Sequence, residues 1–128
     1  MEQFLIDSNS VSDYLSLLLP EKGMQVLDEV INKIPNLSII TQIELLSWNT
    51  NDKGKEHKVQ DFVSDSAILG ISADVVIKCV AIRKGKKIKT PDAIIAATAL
   101  ANKFTLVTSN EKDSKGIFGL KIINPKLL

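Results

Sequence analysis

Short apolar runs alternate with helix-period segments along nearly the whole chain, and this alternation leaves few folds open. Residues 3 to 6, QFLI, end at Asp7, and the polar Ser8, Asn9 and Ser10 suit the start of a helix reaching about Leu19, where Pro20 interrupts. A second helix begins near Glu21 with Met24, Leu27, Ile31 and Ile34 at helical spacing, and Pro35 and Asn36 stop it. Residues 37 to 40 read as a second strand, and Thr41 opens a helix carrying Ile43, Leu45 and Leu46. Residues 49 to 58 hold no large apolar side chain and read as a solvated loop, before a helix around residues 59 to 63. A third strand follows at residues 67 to 71, and Ser72 caps a helix that turns Val75, Val76, Cys79, Val80 and Ile82 inward. Thr90 and Pro91 provide a cap and a first-turn proline for a helix whose residues 93 to 101 are so small and apolar that burial on most sides is required. Residues 104 to 107 and 120 to 123 complete the strands. Strands rich in Leu, Ile and Val that alternate with helices predict an α/β fold: three layers, α/β/α, around a mainly parallel sheet of four to five strands.

Composition narrows the class. A chain of 128 residues, 45% hydrophobic and 24% charged, suits one domain spanning residues 1–128. Its net charge of +1 creates no strong overall field, so attraction to a polyanion must come from a local patch. Arg83, Lys84, Lys86, Lys87 and Lys89 supply one: they read either as a helix end and solvated loop, or as a phosphate-binding strip. The apolar stretches fall far short of the roughly 20 residues of a membrane span, and Met1-Glu2-Gln3 does not start a secretory leader, so a cytoplasmic protein with no membrane contact is expected. The single cysteine, Cys79, lies in an apolar helical pattern and reads as a buried, inert thiol; Trp48 reads as a core or interface anchor.

In parallel sheets, ligands bind beyond the carboxyl ends of the strands. Asp7 follows the first strand directly, Glu44 and Asp92 lie in first helical turns, and the fourth strand leads into Thr108-Ser109-Asn110-Glu111-Lys112-Asp113. Each has a local explanation: Asp7 as a helix cap, Glu44 as the partner of Thr41 in a capping box, Asp92 as a charge on the helix dipole, and Asn110 and Asp113 as turn residues. Gathered on one rim, however, these carboxylates repel one another and stay ionised by binding a hard cation. Oxygen-only ligands favour Mg²⁺ or Mn²⁺, whose chemistry at such a site is phosphodiester hydrolysis. With His57 alone, in a polar segment, a histidine-based nucleophile is disfavoured, and no Gly-rich phosphate loop occurs. A phospho-acceptor regulator would carry an adjacent acidic pair after its first strand, where this chain has Asp7 followed by Ser8 and Asn9.

The segments FLIDSNS, SIITQIELL, TPDAIIAATALA and TLVTSNEKD, in this order, resemble the PIN-domain nucleases, in particular the VapC-type toxins of toxin-antitoxin pairs, and the terminal GLKIINP is similar to that family's last strand. The resemblance runs from about residue 3 to 125. It implies a PIN fold, endoribonuclease activity with Mg²⁺ or Mn²⁺, a cognate antitoxin and a homodimer. It maps the family's acidic positions onto Asp7, Glu44 and Asp92, with Asp113 as the fourth carboxylate and metal ligand. Asn110 becomes a polar neighbour that holds water or ligand, and Asn9 and Thr108 orient the carboxylates. Two further readings remain open: an RNA-processing PIN nuclease outside any toxin pair, and a non-catalytic RNA-binding or regulatory α/β domain.

Overall fold

A computed structural model describes residues 2–128. The chain runs β1 (Phe4–Ile6), α1 (Ser8–Leu15), α2 (Glu21–Asn32), β2 (Asn36–Ser38), α3 (Ile39–Leu46), α4 (Lys53–Ser64), β3 (Ala67–Leu69), α5 (Ala73–Gly85), α6 (Thr90–Asn102), β4 (Thr105–Val107), α7 (Glu111–Ser114) and β5 (Ile122–Ile123), with a closing 3₁₀ turn at Pro125–Leu127. The five strands form one sheet in the order β3-β2-β1-β4-β5, and every pair is parallel. Connections leave β1 toward β2 and β3 on one side and return to β4 and β5 on the other. The order therefore reverses between β1 and β4, which pair Leu5 with Leu106 and Ile6 with Val107.

Alternation along these short strands divides the core. Ile6, Leu37 and Val107 point to one face, where Val11, Leu27, Leu45, Val59, Phe62 and Val63 cover them. Leu5 and Leu106 point to the other, against Ile95 and Ala99 of α6. Behind them Ala93, Ala96 and Ala97 meet Val75, Cys79 and Ile82 of α5. Alanines on α6 let that helix lie close to its neighbours on both sides. Burial on both faces is why the strands read as continuous apolar runs.

Several boundaries differ from the sequence reading, each for a local reason. α1 stops at Leu15, since Leu17 adopts a left-handed backbone (φ 59°) that helices do not continue through. The second strand ends at Ser38, which caps α3 by accepting from the Ile40 amide; the helix thus begins two residues before Thr41, and no Thr41–Glu44 capping box forms. Residues 49 to 58 are not all loop: Asp52 accepts from the Gly54 and Lys55 amides and starts α4 at Lys53. The inward face of α5 holds Val75, Cys79 and Ile82, whereas Val76 and Val80 are about half exposed. Lys89, not Thr90, is the cap residue of α6, with no side-chain cap bond. The single turn α7 lies where only a turn was expected. Ser72 does cap α5, Cys79 is buried, and among the described residues no helix is long and apolar enough to cross a membrane.

Candidate active site

Asp7 lies at the reversal point, and both its carboxylate oxygens are engaged. Oδ1 accepts from the Ser10 amide at 2.9 Å, which makes Asp7 the cap of α1, and Oδ2 accepts from the Thr108 hydroxyl at 2.5 Å. The cap reading and the site reading thus hold together. With 8% of its surface exposed, Asp7 has its pKa raised, chiefly by burial; the bonds from Thr108 and Ser10 oppose the rise, and the charge of Asp13 adds to it.

Asp92 occupies the third position of α6, where the amino terminus favours an anion. Its pKa is nonetheless raised, first by desolvation, then by the charges of Asp113 and Glu44 and by a side-chain contact with Asp113, with Lys89 opposing. Asp113 is held by Asn110, which donates from Nδ2 to Asp113 Oδ2 at 2.8 Å and accepts from the Asp113 amide at 3.4 Å as the cap of α7. Thr108 Oγ1 accepts in turn from the Asn110 amide at 3.0 Å, so one hydroxyl links Asp7 to the turn that carries Asp113. A small recess is lined by Asp7, Asp92, Ile95, Leu106, Thr108, Asn110, Asp113 and Ser114. Glu44 stands outside this lining; it is exposed and accepts from the Ser8 hydroxyl at 2.5 Å. A larger cavity lies at the opposite end of the strands, between Phe4, Val30 and Pro35. Mutual repulsion of carboxylates, rather than volume, distinguishes the smaller recess.

Asn9 is not brought to Asp7. It is exposed on the first turn of α1, and its side chain makes no hydrogen bond among the described residues. Its neighbours do the orienting: Ser10 bonds Asp7 by its amide and reaches the Val107 carbonyl with its hydroxyl at 3.3 Å, while Ser8 holds Glu44. The sequence reading missed both serines, although their place beside Asp7 in DSNS was a usable signal. His57 faces Asp61 on α4, and half-buried Trp48 packs on the core.

The basic strip separates into unlike parts. Arg83 Nε donates to the Ile88 carbonyl at 3.4 Å, and Lys86 Nζ donates to the carbonyls of Lys112 and Lys115 at 2.9 and 2.6 Å. Lys84, Lys87 and Lys89 are exposed, and their side chains make no hydrogen bond or ion pair among the described residues.

The donors here are carboxylate, amide and hydroxyl oxygens, which suit a hard divalent cation, and the repulsion at Asp92 is what such a cation relieves. Among the described residues no three acidic, histidine or cysteine side chains form a ready-made cage. Mg²⁺ commonly takes one or two protein carboxylates and retains water for its other positions, so the donor set fits.

A family model described as PIN domain matches residues 4–116. Among solved structures, a toxin-antitoxin complex from Klebsiella pneumoniae contains a chain 31% identical to this one, with 96% of this chain and 98% of that one covered and a TM-score of 0.76. FitAcB from Neisseria gonorrhoeae is 28% identical, with 98% and 100% covered and a TM-score of 0.80. VapBC2 from Rickettsia felis, bound to a DNA fragment from its promoter, is 25% identical, with 94% and 97% covered and a TM-score of 0.78. The comparison with curated proteins returns no match.

Proposed function

Because the chain belongs to the PIN-domain family, whose members are generally nucleases, we propose that it is a metal-dependent endoribonuclease and the toxin of a toxin-antitoxin pair. One observation carries the catalytic part: Asp92 is crowded by the negative charges of Asp113 and Glu44 at a strand-end recess that also holds the buried Asp7. Carboxylates that crowd one another in a cleft are the arrangement from which functional sites are built. The toxin part rests on the similar chains found in toxin-antitoxin assemblies. By the same analogy one partner is a protein antitoxin; a second copy of the chain is the partner that the family resemblance implies.

Asp7 and Asp92 would hold Mg²⁺ or Mn²⁺, aided by Asp113 and Glu44, and the chemistry that such a cation would supply is activation of water and neutralisation of charge developing on the phosphate. The protein's own groups do the remaining work. Thr108 and Ser10 fix the Asp7 carboxylate and favour its ionised form against burial. Asn110 orients Asp113, and Ser8 orients Glu44. Burial and the charges of Asp113 and Glu44 hold the Asp92 pKa above its ordinary value, so a cation that relieves this crowding would favour the ionised carboxylate. Lys84, Lys87 and Lys89 attract the RNA backbone, and Lys89 also favours the ionised form of Asp92. Hydrolysis consumes one water: its oxygen forms a new bond to phosphorus, one P–O ester bond breaks, and the leaving oxygen takes up a proton.

The test is cleavage of total RNA by the purified protein with Mg²⁺ or Mn²⁺, beside Asp7→Asn and Asp92→Asn. Both variants are expected to lose cleavage at least 100-fold while keeping their circular dichroism. Undiminished cleavage in both, from preparations free of other nucleases, would defeat the mechanism. Growth arrest that is relieved by co-expression of a neighbouring small protein separates a toxin from an RNA-processing nuclease.

A further inference from the structure

We infer that Lys86 is a positioning residue, the clamp that holds α7 so that Asp113 faces Asp92; this rests on the metal-site reading above. Four residues of helix cannot sustain themselves, since one turn fixes more dihedrals than it gains hydrogen bonds. Repulsion between Asp113 and Asp92 also pushes this turn away from α6. Something must hold it from outside. Asn110 secures the amino end, through its bonds to the amide and carboxylate of Asp113. The carboxyl end is secured by the Lys86 ammonium, which donates to the carbonyls of Lys112 and Lys115, one on either side of Asp113 in the chain. A cation is the group that helix-end carbonyls favour, and bonds from an ionised donor are about twice as strong as neutral ones.

The backbone is built for this reach. Lys86 follows the last residue of α5 in an extended conformation (φ −158°, ψ 143°), and it is half-buried where Lys84, Lys87 and Lys89 are exposed. Six residues later the chain arrives at Asp92. Lys86, α7, Asp113, Asp92 and the start of α6 therefore close a ring around the acidic pair. A lysine with two of its three donors on protein carbonyls is poorly placed to take a phosphate as well. Lys86 thus leaves the phosphate strip and joins the frame of the site.

The experiment compares wild type, Lys86→Met and Lys86→Arg in the full chain. It reads Mn²⁺ affinity by calorimetry, amide exchange of residues 111 to 116, RNA cleavage, and the salt dependence of RNA binding. Lys86→Met keeps the stem and removes the charge. It is expected to weaken Mn²⁺ binding roughly 10-fold, the low end of what groups supporting metal ligands contribute. It should also speed exchange across α7 and lower kcat at limiting Mn²⁺, with KM and the salt slope unchanged. Lys86→Arg, which keeps charged donors, should recover most of the loss. Unchanged Mn²⁺ affinity and exchange, with weaker RNA binding and a salt slope shallower by about 0.7, would overturn the clamp and make Lys86 a phosphate contact. A wild type that binds Mn²⁺ but cuts no RNA defeats the nuclease reading and leaves the clamp to its Mn²⁺ result. If the wild type binds no Mn²⁺, exchange alone decides: faster exchange of residues 111 to 116 in Lys86→Met than in wild type and Lys86→Arg supports the clamp, and equal exchange in all three overturns it; if Lys86→Met fails to fold, Lys86→Gln takes its place.

Discussion

Replacing Thr108 by Val tests the link between burial and ionisation at Asp7. The substitution keeps the branched shape of a side chain that is 2% exposed and removes only its hydroxyl. Two bonds go with it, the 2.5 Å donation to Asp7 Oδ2 and the 3.0 Å acceptance from the Asn110 amide. A hydrogen bond to a charged group contributes about 1.5–3 kcal/mol, and leaving the buried carboxylate oxygen unpaired costs within the same range. A loss of about 2 kcal/mol lowers Tm by roughly 6–10 °C in a domain of this size. The effect must depend on pH in one direction. Burial raises the Asp7 pKa above its ordinary value, so its ionisation works against the fold as pH rises through the folded pKa; the Thr108 bond opposes that rise, and removing it lets the pKa climb further. The stability gap between Thr108→Val and wild type is therefore smallest below the ordinary carboxylate range, where Asp7 is protonated in both, and widens toward neutral pH. The acid limb of the cleavage profile at limiting Mg²⁺ moves to higher pH as well. Urea denaturation from pH 4 to 8 and the cleavage profile measure both, with Thr108→Ser as the control that keeps the hydroxyl. A stability gap that is constant across this range, together with an unmoved acid limb, would refute the coupling.

Asp92→Asn removes a charge that Asp113 and Glu44 repel. Since the folded pKa of Asp92 is raised, its ionisation weakens the metal-free fold above the ordinary carboxylate range. The variant should therefore melt higher than wild type at pH 7 without metal, lose that advantage as the pH falls, and show no further rise when Mg²⁺ is added; differential scanning calorimetry at two pH values reads all three. Replacing Lys84, Lys87 and Lys89 by Ala should weaken RNA binding and make its log–log salt slope shallower by roughly 2, the value for three phosphate contacts on a single strand. An unchanged slope in a filter-binding titration would return these lysines to the solvated surface.

The alternation of apolar and helical segments was enough to anticipate a parallel sheet, because strands buried on both faces have little freedom in composition. Asp7 and Asp92 were visible for a related reason: each follows a recognisable element, and the switch between β1 and β4 brings such ends together. Glu44 was harder. Residues 37 to 40 are apolar enough for strand or helix, and only the bond from the Ile40 amide to Ser38 shows the helix starting early and freeing Glu44 from a cap. Only the second half of α4 was legible, around residues 59 to 63; its first half is polar and is started by Asp52 rather than by periodicity. Asn9 misled because spacing gives no direction: on the first turn of a helix, Ser8 and Ser10 reach the carboxylates and the residue between them faces solvent. Lys86 could not be told from its basic neighbours, since its partners lie 26 and 29 residues away.

The pairing of β1 with β4 also sets when, in the life of one chain, the acidic recess comes into being. The Asp7–Thr108 bond spans 101 residues, and neither the recess nor the seat of Asp113 exists until that span closes. That span cannot close before Thr108 has left the ribosome. A chain still emerging from the ribosome carries Asp7, Glu44 and Asp92 but has no β4 against which to gather them. Under the function proposed here, a toxin of this topology is harmless while nascent, and the interval before its last quarter is released gives an antitoxin time to be present when the site first assembles.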